Sequence, residues 1–283
     1  MASLTTKSGR LAPPLFYGTA WKKAATTALV ALALKNGFRA IDTACQPRHY
    51  NENLVGEGIA QFGGVKREDL FLQTKFTLPG GQDPNNIPYD INAPVEDQVR
   101  QSFAQSLQNL RTEYLDAVLL HSPARSIETT LSIINVLNTF KSEGKVRHLG
   151  ISNIYSLSAL EEICGRFPPS TIQIIQNRFY PDTEYDVGIR RYCKSNGIMY
   201  QKSFWTLSGN PHVLESLVLK RVADRIGASV EGSFYRFCIQ EGITVLDGTT
   251  SEEYMKDLTV STGEEFVLND EEMMHIRSLL SRS

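Results

Sequence analysis

Short runs of apolar and β-branched residues alternate along the chain with longer stretches whose apolar positions recur at spacings of three and four. The short runs fall at 15–17, 38–43, 70–76, 115–121, 146–152, 171–179, 198–203 and 243–246, eight in all. Several are nearly continuous in apolar residues, Ala117-Val118-Leu119-Leu120 being the clearest, which is the pattern of strands covered on both faces. Between the runs, Val95, Val99, Phe103, Leu107 and Leu110 form one helical stripe. Pro94 suits a first helical turn, and Ser229 can cap a helix carrying Val230, Phe234 and Phe237. Four helices end alike, at Asn36-Gly37, Glu143-Gly144, Asn196-Gly197 and Glu241-Gly242. Glycine takes the left-handed position after a helix at low cost, and the next strand starts at once.

Strands alternating with helices give a parallel sheet with right-handed crossovers. Eight such units predict an α/β protein, a single (β/α)8 TIM barrel over residues 1–283. The rival is an open doubly wound sheet, which usually holds a nucleotide on a Gly-rich turn after its first strand. Here that turn reads Gly18-Thr19-Ala20-Trp21. The one G-x-G, Gly56-Glu57-Gly58, follows a loop and reads as close packing within a helix. The long irregular stretch 77–93 follows the third strand, which in a barrel places it on the catalytic rim.

Composition narrows the class. The 283 residues carry 29 Lys+Arg against 31 Asp+Glu, a net charge of −2, and 41% are apolar. Such a chain can bury a sizeable core, and its near-neutral balance argues against nucleic acid as the main partner. The polar segment 1–14 lacks the apolar stretch of a secretory signal. The most apolar stretch, 24–34, is too short to span a bilayer. Cys45, Cys164, Cys193 and Cys238 lie far apart with no C-x-x-C, as in a reduced, cytoplasmic protein.

Barrel active sites lie at the C-terminal ends of the strands. Those ends carry Gly18-Thr19, Asp42-Thr43, Lys75, His121, Ser152-Asn153, Gln176, Ser203-Phe204-Trp205 and Asp247-Gly248-Thr249. Singly, Asp42 reads equally as a helix cap, Lys75 as a solvated strand end and His121 as a satisfier of backbone groups. An Asp, a Lys and a His at consecutive strand ends nevertheless converge on one mouth. The five histidines show no H-x-x-x-H or H-x-H spacing, so a metal site has little support. Cys45, just after strand two, reads as packing rather than as a nucleophile.

Over essentially its whole length the chain resembles the aldo-keto reductase family, in particular its fungal members. The motifs are Gly18-Thr19-Ala20, Ile41-Asp42-Thr43-Ala44, Tyr50-Asn51-Glu52 with Val55-Gly56, Thr74-Lys75, Leu120-His121-Ser122-Pro123 and Gly150-Ile151-Ser152-Asn153. The resemblance implies NAD(P)H-dependent reduction of a small-molecule aldehyde or ketone to an alcohol. It implies a tetrad of Asp42, Tyr50, Lys75 and His121, with Tyr50 the proton donor. A free phenol has a pKa near 10, so Lys75 is expected to lower it, while Asp42 holds Lys75 charged and oriented. His121 would orient the carbonyl. The resemblance further implies a nicotinamide held by Ser152, Asn153 and Gln176, stacked on Phe204 or Trp205, with Gly18 and Thr19 alongside. The pyrophosphate is expected over Leu207, where a helix begins. The adenosine end is expected near Gly248, Thr249 and Thr250. Trp21, Phe76 and the 77–93 loop would line the substrate pocket.

Three features depart from that pattern. Tyr50 abuts Asn51-Glu52, and His49 occupies the position a strict count favours. After strand eight the usual basic residues for the 2′-phosphate give way to Asp247-Gly248-Thr249-Thr250-Ser251-Glu252-Glu253, so NADPH is the expected coenzyme while NADH gains weight. The last helix, near 269–280, is followed by only a short tail, from which a more open pocket is expected. Two other functions stay in play: a non-redox isomerase or lyase on the same site, and a non-catalytic coenzyme-sensing barrel. The oligomeric state is not readable.

Overall fold

Eight parallel strands close into a ring. They are β1 (Leu15–Gly18), β2 (Ala40–Asp42), β3 (Phe71–Phe76), β4 (Leu115–Leu120), β5 (Val146–Ser152), β6 (Ile172–Asn177), β7 (Met199–Lys202) and β8 (Ile243–Asp247). The computed structural model describes residues 4–5, 11–203 and 206–280. Each strand pairs with its neighbours in sequence, and β8 returns to β1 with Val245 opposite Leu15. The (β/α)8 barrel expected from the alternation is therefore present, and an open sheet is excluded. A short antiparallel pair, Leu4–Thr5 with Leu11–Ala12, precedes the barrel.

The helices that follow the strands are α1 (Thr26–Lys35), α2 (Glu52–Phe62), α3 (Val95–Asn109), α4 (Ile127–Ser142), α5 (Leu157–Gly165) and α6 (Val187–Asn196). They continue with α7 (Pro211–Leu214), α8 (Leu217–Ile226), α9 (Val230–Gln240), α10 (Glu252–Ser261) and α11 (Asp270–Leu279). Their ends follow local chemistry. Ser229 accepts from the Gly232 N–H at the start of α9. Gly37, Gly144, Gly197 and Gly242 all adopt positive φ, between 61° and 95°. Gly56 and Gly58 serve packing, as expected. A Cβ at Gly56 would lie 2.2 Å from the Asn109 carbonyl, and one at Gly58 2.6 Å from that of Thr27, so α2 can approach α3 and α1 this closely only with glycine there.

Strand parity sorts the core into two layers. Phe16, Ala40, Phe71, Ala117, Leu119, Ile174, Met199 and Leu246 fill the barrel interior. Leu15, Tyr17, Ile41, Leu72, Val118 and Leu120 face the helices instead. Continuing the inward parity upward brings Gly18, Asp42, Lys75, His121, Ser152, Gln176 and Ser203 to one end of the lumen. The strands thus collect their ionisable groups at one mouth, above an interior that is mainly apolar but also holds Gln73, His148, Gln201 and Thr244.

Candidate active site

Asp42 and Lys75 form a buried ion pair at the ends of β2 and β3. The Lys75 ammonium donates to both carboxylate oxygens, at 2.7 and 2.6 Å, and to the Thr43 carbonyl at 2.9 Å. Burial lowers the Lys75 pKa, and Asp42 opposes that shift. Three inward-facing amides brace the pair. Gln73 and Gln176 donate to Asp42 Oδ1 at 2.7 and 3.1 Å, and both also donate to Gln201 Oε1, at 2.9 and 3.0 Å. A carboxylate only accepts, so this contact fixes the Gln176 amide with its nitrogen toward Asp42 and leaves its oxygen for other donors.

Tyr50 stands beside this pair. Residues 46–50 form a turn in which His49 and Tyr50 both donate backbone N–H groups to the Gln46 carbonyl. That turn absorbs the irregular spacing of the Tyr50 motif. Tyr50 faces inward, its ring centre 5.3 Å from the Lys75 nitrogen and 6.0 Å from the His121 ring. His49 lines the rim of the same cavity and stacks on Trp21, with centroids 3.8 Å apart. Trp21 holds a left-handed backbone (φ 63°) and donates its N–H to the His49 carbonyl at 2.7 Å. Strain at a bulky residue beside a mouth marks a place the surroundings over-determine. Burial and the Lys75 charge bring the His121 pKa down to about 3, so its imidazole is neutral at physiological pH.

The expected lowering of the Tyr50 pKa is not what the geometry produces. Burial pushes the phenol up and the Asp42 carboxylate adds to it. The physical reason is burial: in this dry site the charged phenolate costs more than the phenol, and the nearby Asp42 carboxylate adds to that cost. The phenol is thus kept protonated, the form a proton donor needs.

Asp42, His49, Tyr50 and His121 line a cavity of about 180 Å³ with Trp21, Ser152, Asn153, Gln176, Arg178, Ser203 and Leu246, and Lys75 lies behind Asp42. A larger groove of about 630 Å³ lies at the opposite end, against the strand starts at Met199 and Ile243, away from this chemistry. The cavity wall fits a carboxamide-bearing ring. Asn153, in a left-handed conformation (φ 55°), donates to the His121 carbonyl at 2.9 Å, and Ser152 donates to the Gln176 carbonyl at 2.8 Å. The Ser203 hydroxyl, on the same wall, is buried and has no hydrogen-bond partner among the described residues. Gly18 and Gly248 meet at the β8–β1 seam, where a Cβ on Gly248 would come within 3.3 Å of both the Gly18 carbonyl and the Lys22 nitrogen. Thr19 is buried, with its hydroxyl on the Asp42 carbonyl.

Several expectations need correction. Phe76 does not line the cavity. It is 2% exposed, one position off the inward parity of Lys75, and packs against Tyr89 in the layer between strands and helices. The 77–93 loop lines a second cavity of about 190 Å³ through Asn86 and Pro88, on the other side of Tyr50, which lines both. Its link to the active-site cavity is Thr77, whose Oγ1 lies 2.7 Å from His121 Nδ1. Beyond Leu207, α7 is a single turn, and the Asn210 side chain donates to the Phe179 and Thr206 carbonyls rather than capping it. Phe204 and Trp205 lie outside the described residues. Asp247 faces α9 and is engaged by the Tyr235 hydroxyl at 2.7 Å and the Thr249 N–H at 2.6 Å. Cys45 is buried, which pushes its thiol pKa up and suits packing. Among the described residues no three His, Cys, Asp or Glu side chains converge as a metal site would.

Sequence reasoning missed Gln73, Gln201, Arg178, Lys22 and Thr77. Gln73 was findable, because it shares strand parity with Lys75. Lys22 reaches the Gly248 carbonyl from the β1 loop, a contact 226 positions apart in sequence that no local pattern reveals.

Comparison with known proteins agrees with this geometry. The family model described as "Aldo/keto reductase family" matches residues 15–209. Glyoxal reductase of Bacillus subtilis (strain 168) is 30% identical over 228 residues, which cover 80% of this chain and 74% of that one. Methylglyoxal reductase DkgB of Escherichia coli O157:H7 is 29% identical over 228 residues, 80% of this chain and 78% of that one. The crystal structure of an aldo/keto reductase from Brucella melitensis superposes with a TM-score of 0.80 at 26% identity, covering 98% and 99% of the two chains. A closed barrel, a polar strand-end mouth and a family match over most of its length make this chain a member of the aldo/keto reductase family, an NAD(P)H-dependent oxidoreductase that reduces carbonyl groups.

Proposed function

We propose that Tyr50 donates the proton and His121 orients the carbonyl in this reduction, on a platform held by Asp42 and Lys75. The observation that carries the reading is the convergence of a protonated phenol, a neutral imidazole and a buried ion pair on one small cavity. The nicotinamide, when bound, supplies the hydride. As negative charge builds on the carbonyl oxygen, Tyr50 O–H releases a proton toward it and the Lys75 ammonium stabilises the phenolate left behind. Gln176, Ser152 and Asn153 would hold the carboxamide. Gly18, Thr19 and Gly248 would line the passage of the coenzyme, with Leu207, Thr249 and Thr250 toward its phosphates.

NADPH is the coenzyme we infer, with weak discrimination against NADH. No Lys or Arg occurs between Asp247 and Met255, and Glu252 and Glu253 sit in the first turn of α10. Lys22 brings a cation to the same seam. A cavity of about 180 Å³ favours small carbonyl compounds of the size named in the two reductase relatives. We take residues 1–283 as one barrel domain, with α11 tied back to α8 through Arg225 and Glu272. Four free cysteines support a cytoplasmic setting. A non-redox reaction or a coenzyme-sensing role is not favoured by reductase relatives of this similarity.

The test is oxidation of NADPH and NADH at 340 nm against a panel of small aldehydes and α-dicarbonyls, with coenzyme binding followed by fluorescence. Reduction of at least one class with NADPH is expected. Coenzyme-independent turnover, or the absence of both binding and turnover, would overturn the assignment.

A further inference from the structure

We propose that Thr77 is a positioning residue that fixes the proton of His121 on Nε2, so that the ring presents an N–H donor to the substrate carbonyl. The inference rests on the reading of His121 as the carbonyl-orienting group.

Thr77 Oγ1 lies 2.7 Å from His121 Nδ1. A hydroxyl carries one proton and accepts through its lone pairs, so two arrangements are open. In one, Thr77 donates to a bare Nδ1, and the imidazole proton sits on Nε2. In the other, Nδ1–H donates to Thr77, whose own proton then needs an acceptor. Thr77 is 4% exposed, and among the described residues its hydroxyl has no other hydrogen-bond partner. The second arrangement would bury an unsatisfied O–H, the costlier outcome. The first leaves unused only lone pairs of an oxygen that already donates.

Thr77 itself is held in place. The Tyr89 hydroxyl and the Gln82 amide both donate to its carbonyl, at 2.7 and 3.2 Å. Gln82 also donates to the Cys45 carbonyl at 2.9 Å, and Gln46 donates to that of Gly81 at 2.7 Å. The irregular 77–93 loop is thereby tied to the turn that carries Tyr50. On the far side of the ring, Asn153 donates to the His121 carbonyl. The loop after β3 thus contributes to the reaction without lining the cavity, by setting which ring nitrogen carries hydrogen. The opposite tautomer would aim a lone pair at the carbonyl oxygen, a repulsive contact exactly where charge develops.

The tautomer can be read directly by ¹⁵N NMR of protein labelled at histidine, with the His121 signals identified by their loss in His121→Gln. Wild type and Thr77→Ser are expected to show protonated Nε2 and bare Nδ1. In Thr77→Val, nearly isosteric but unable to donate, the two nitrogens are expected to shift toward averaged values. The kcat of Thr77→Val is expected to fall about tenfold, less than the ~10²–10³ of losing an oxyanion donor outright, with Thr77→Ser close to wild type and coenzyme affinity unchanged. Wild-type His121 protonated on Nδ1, or a Thr77→Val protein with an unaltered tautomer, would overturn the proposal whatever the enzyme reduces. A clear Nε2–H signature in a protein inert toward every carbonyl would instead count against the catalytic reading alone.

Discussion

At the scale of single residues, strand parity decides what each side chain does. Lys75 faces the lumen and Phe76 faces the helices, although both sit at the end of β3. Reading Phe76 as a pocket residue follows from its position in the motif, and the two-residue period overrides it. Asp247 is off the inward parity in the same way, which is why Tyr235 of α9 claims it. Parity also makes Gln73 and Gln201 legible in principle, as polar positions within otherwise apolar strands. Asp42, Lys75 and His121 stood out in the sequence because each is an ionisable group closing an apolar run, whereas Tyr50 lies in the irregular turn at 46–50. What was hidden is electrostatic, namely that burial, with the Asp42 carboxylate adding to it, keeps the Tyr50 phenol protonated. A linked prediction concerns His121, whose folded pKa is depressed to about 3 against an ordinary 6.5. Above pH 6.5 neither state is protonated there and stability is unaffected. As pH falls below 6.5 the unfolded chain takes up a proton that the folded chain refuses, so stability is lost between about 6.5 and about 3. Urea unfolding at pH 7 and pH 5 should show about 2 kcal/mol of loss attributable to this residue. That portion of the loss should be missing in His121→Gln.

At the scale of elements, the repeated strand, helix and glycine units were plain in the sequence because each signal is local. The four glycines after the helices need only their own backbone conformation. The Gly56 and Gly58 pair is different, since its demand comes from neighbours far along the chain. Gly56→Ala should therefore destabilise by roughly 1–3 kcal/mol through overpacking against the Asn109 carbonyl. Gly144→Ala meets no atom within 4 Å and strains only its left-handed backbone, for about 1–2 kcal/mol. Urea midpoints of the two variants, with that of the double mutant adding for such distant sites, would check this. The turn at 46–50 is the element that sequence patterns could not resolve. Its hydrogen bonds to Gln46 exchange the apparent places of His49 and Tyr50, and motif spacing carries no information about such a turn.

At the scale of the whole molecule, a net charge of −2 conceals a local balance around the end of β8, where we propose that the coenzyme binds. The acidic start of α10 is explained by the helix itself: Glu252 and Glu253 lie in its first turn, where negative charge is favoured. Glu252 is also paired with Lys35 and Lys256. Lys22 offsets that acidity from the β1 loop. We expect the ratio of kcat/KM for NADPH over NADH to stay below ~100, equivalent to about 2.7 kcal/mol, and to shrink further at high salt as the Lys22 charge is screened. The barrel, its closure and the family were all readable from the order of elements, because eight similar units have few alternative assemblies. The choice between Tyr50 and His49 was not, and it bears most on the chemistry. The most direct measurement is single-turnover carbonyl reduction at saturating NADPH by wild type, Tyr50→Phe and His49→Ala, with coenzyme affinity titrated for each. The account predicts a ~10²–10⁴-fold loss of rate in Tyr50→Phe with coenzyme affinity within about twofold of wild type, and His49→Ala within about tenfold of the wild-type rate. A Tyr50→Phe protein that keeps more than about a tenth of the rate while His49→Ala loses it would contradict the account.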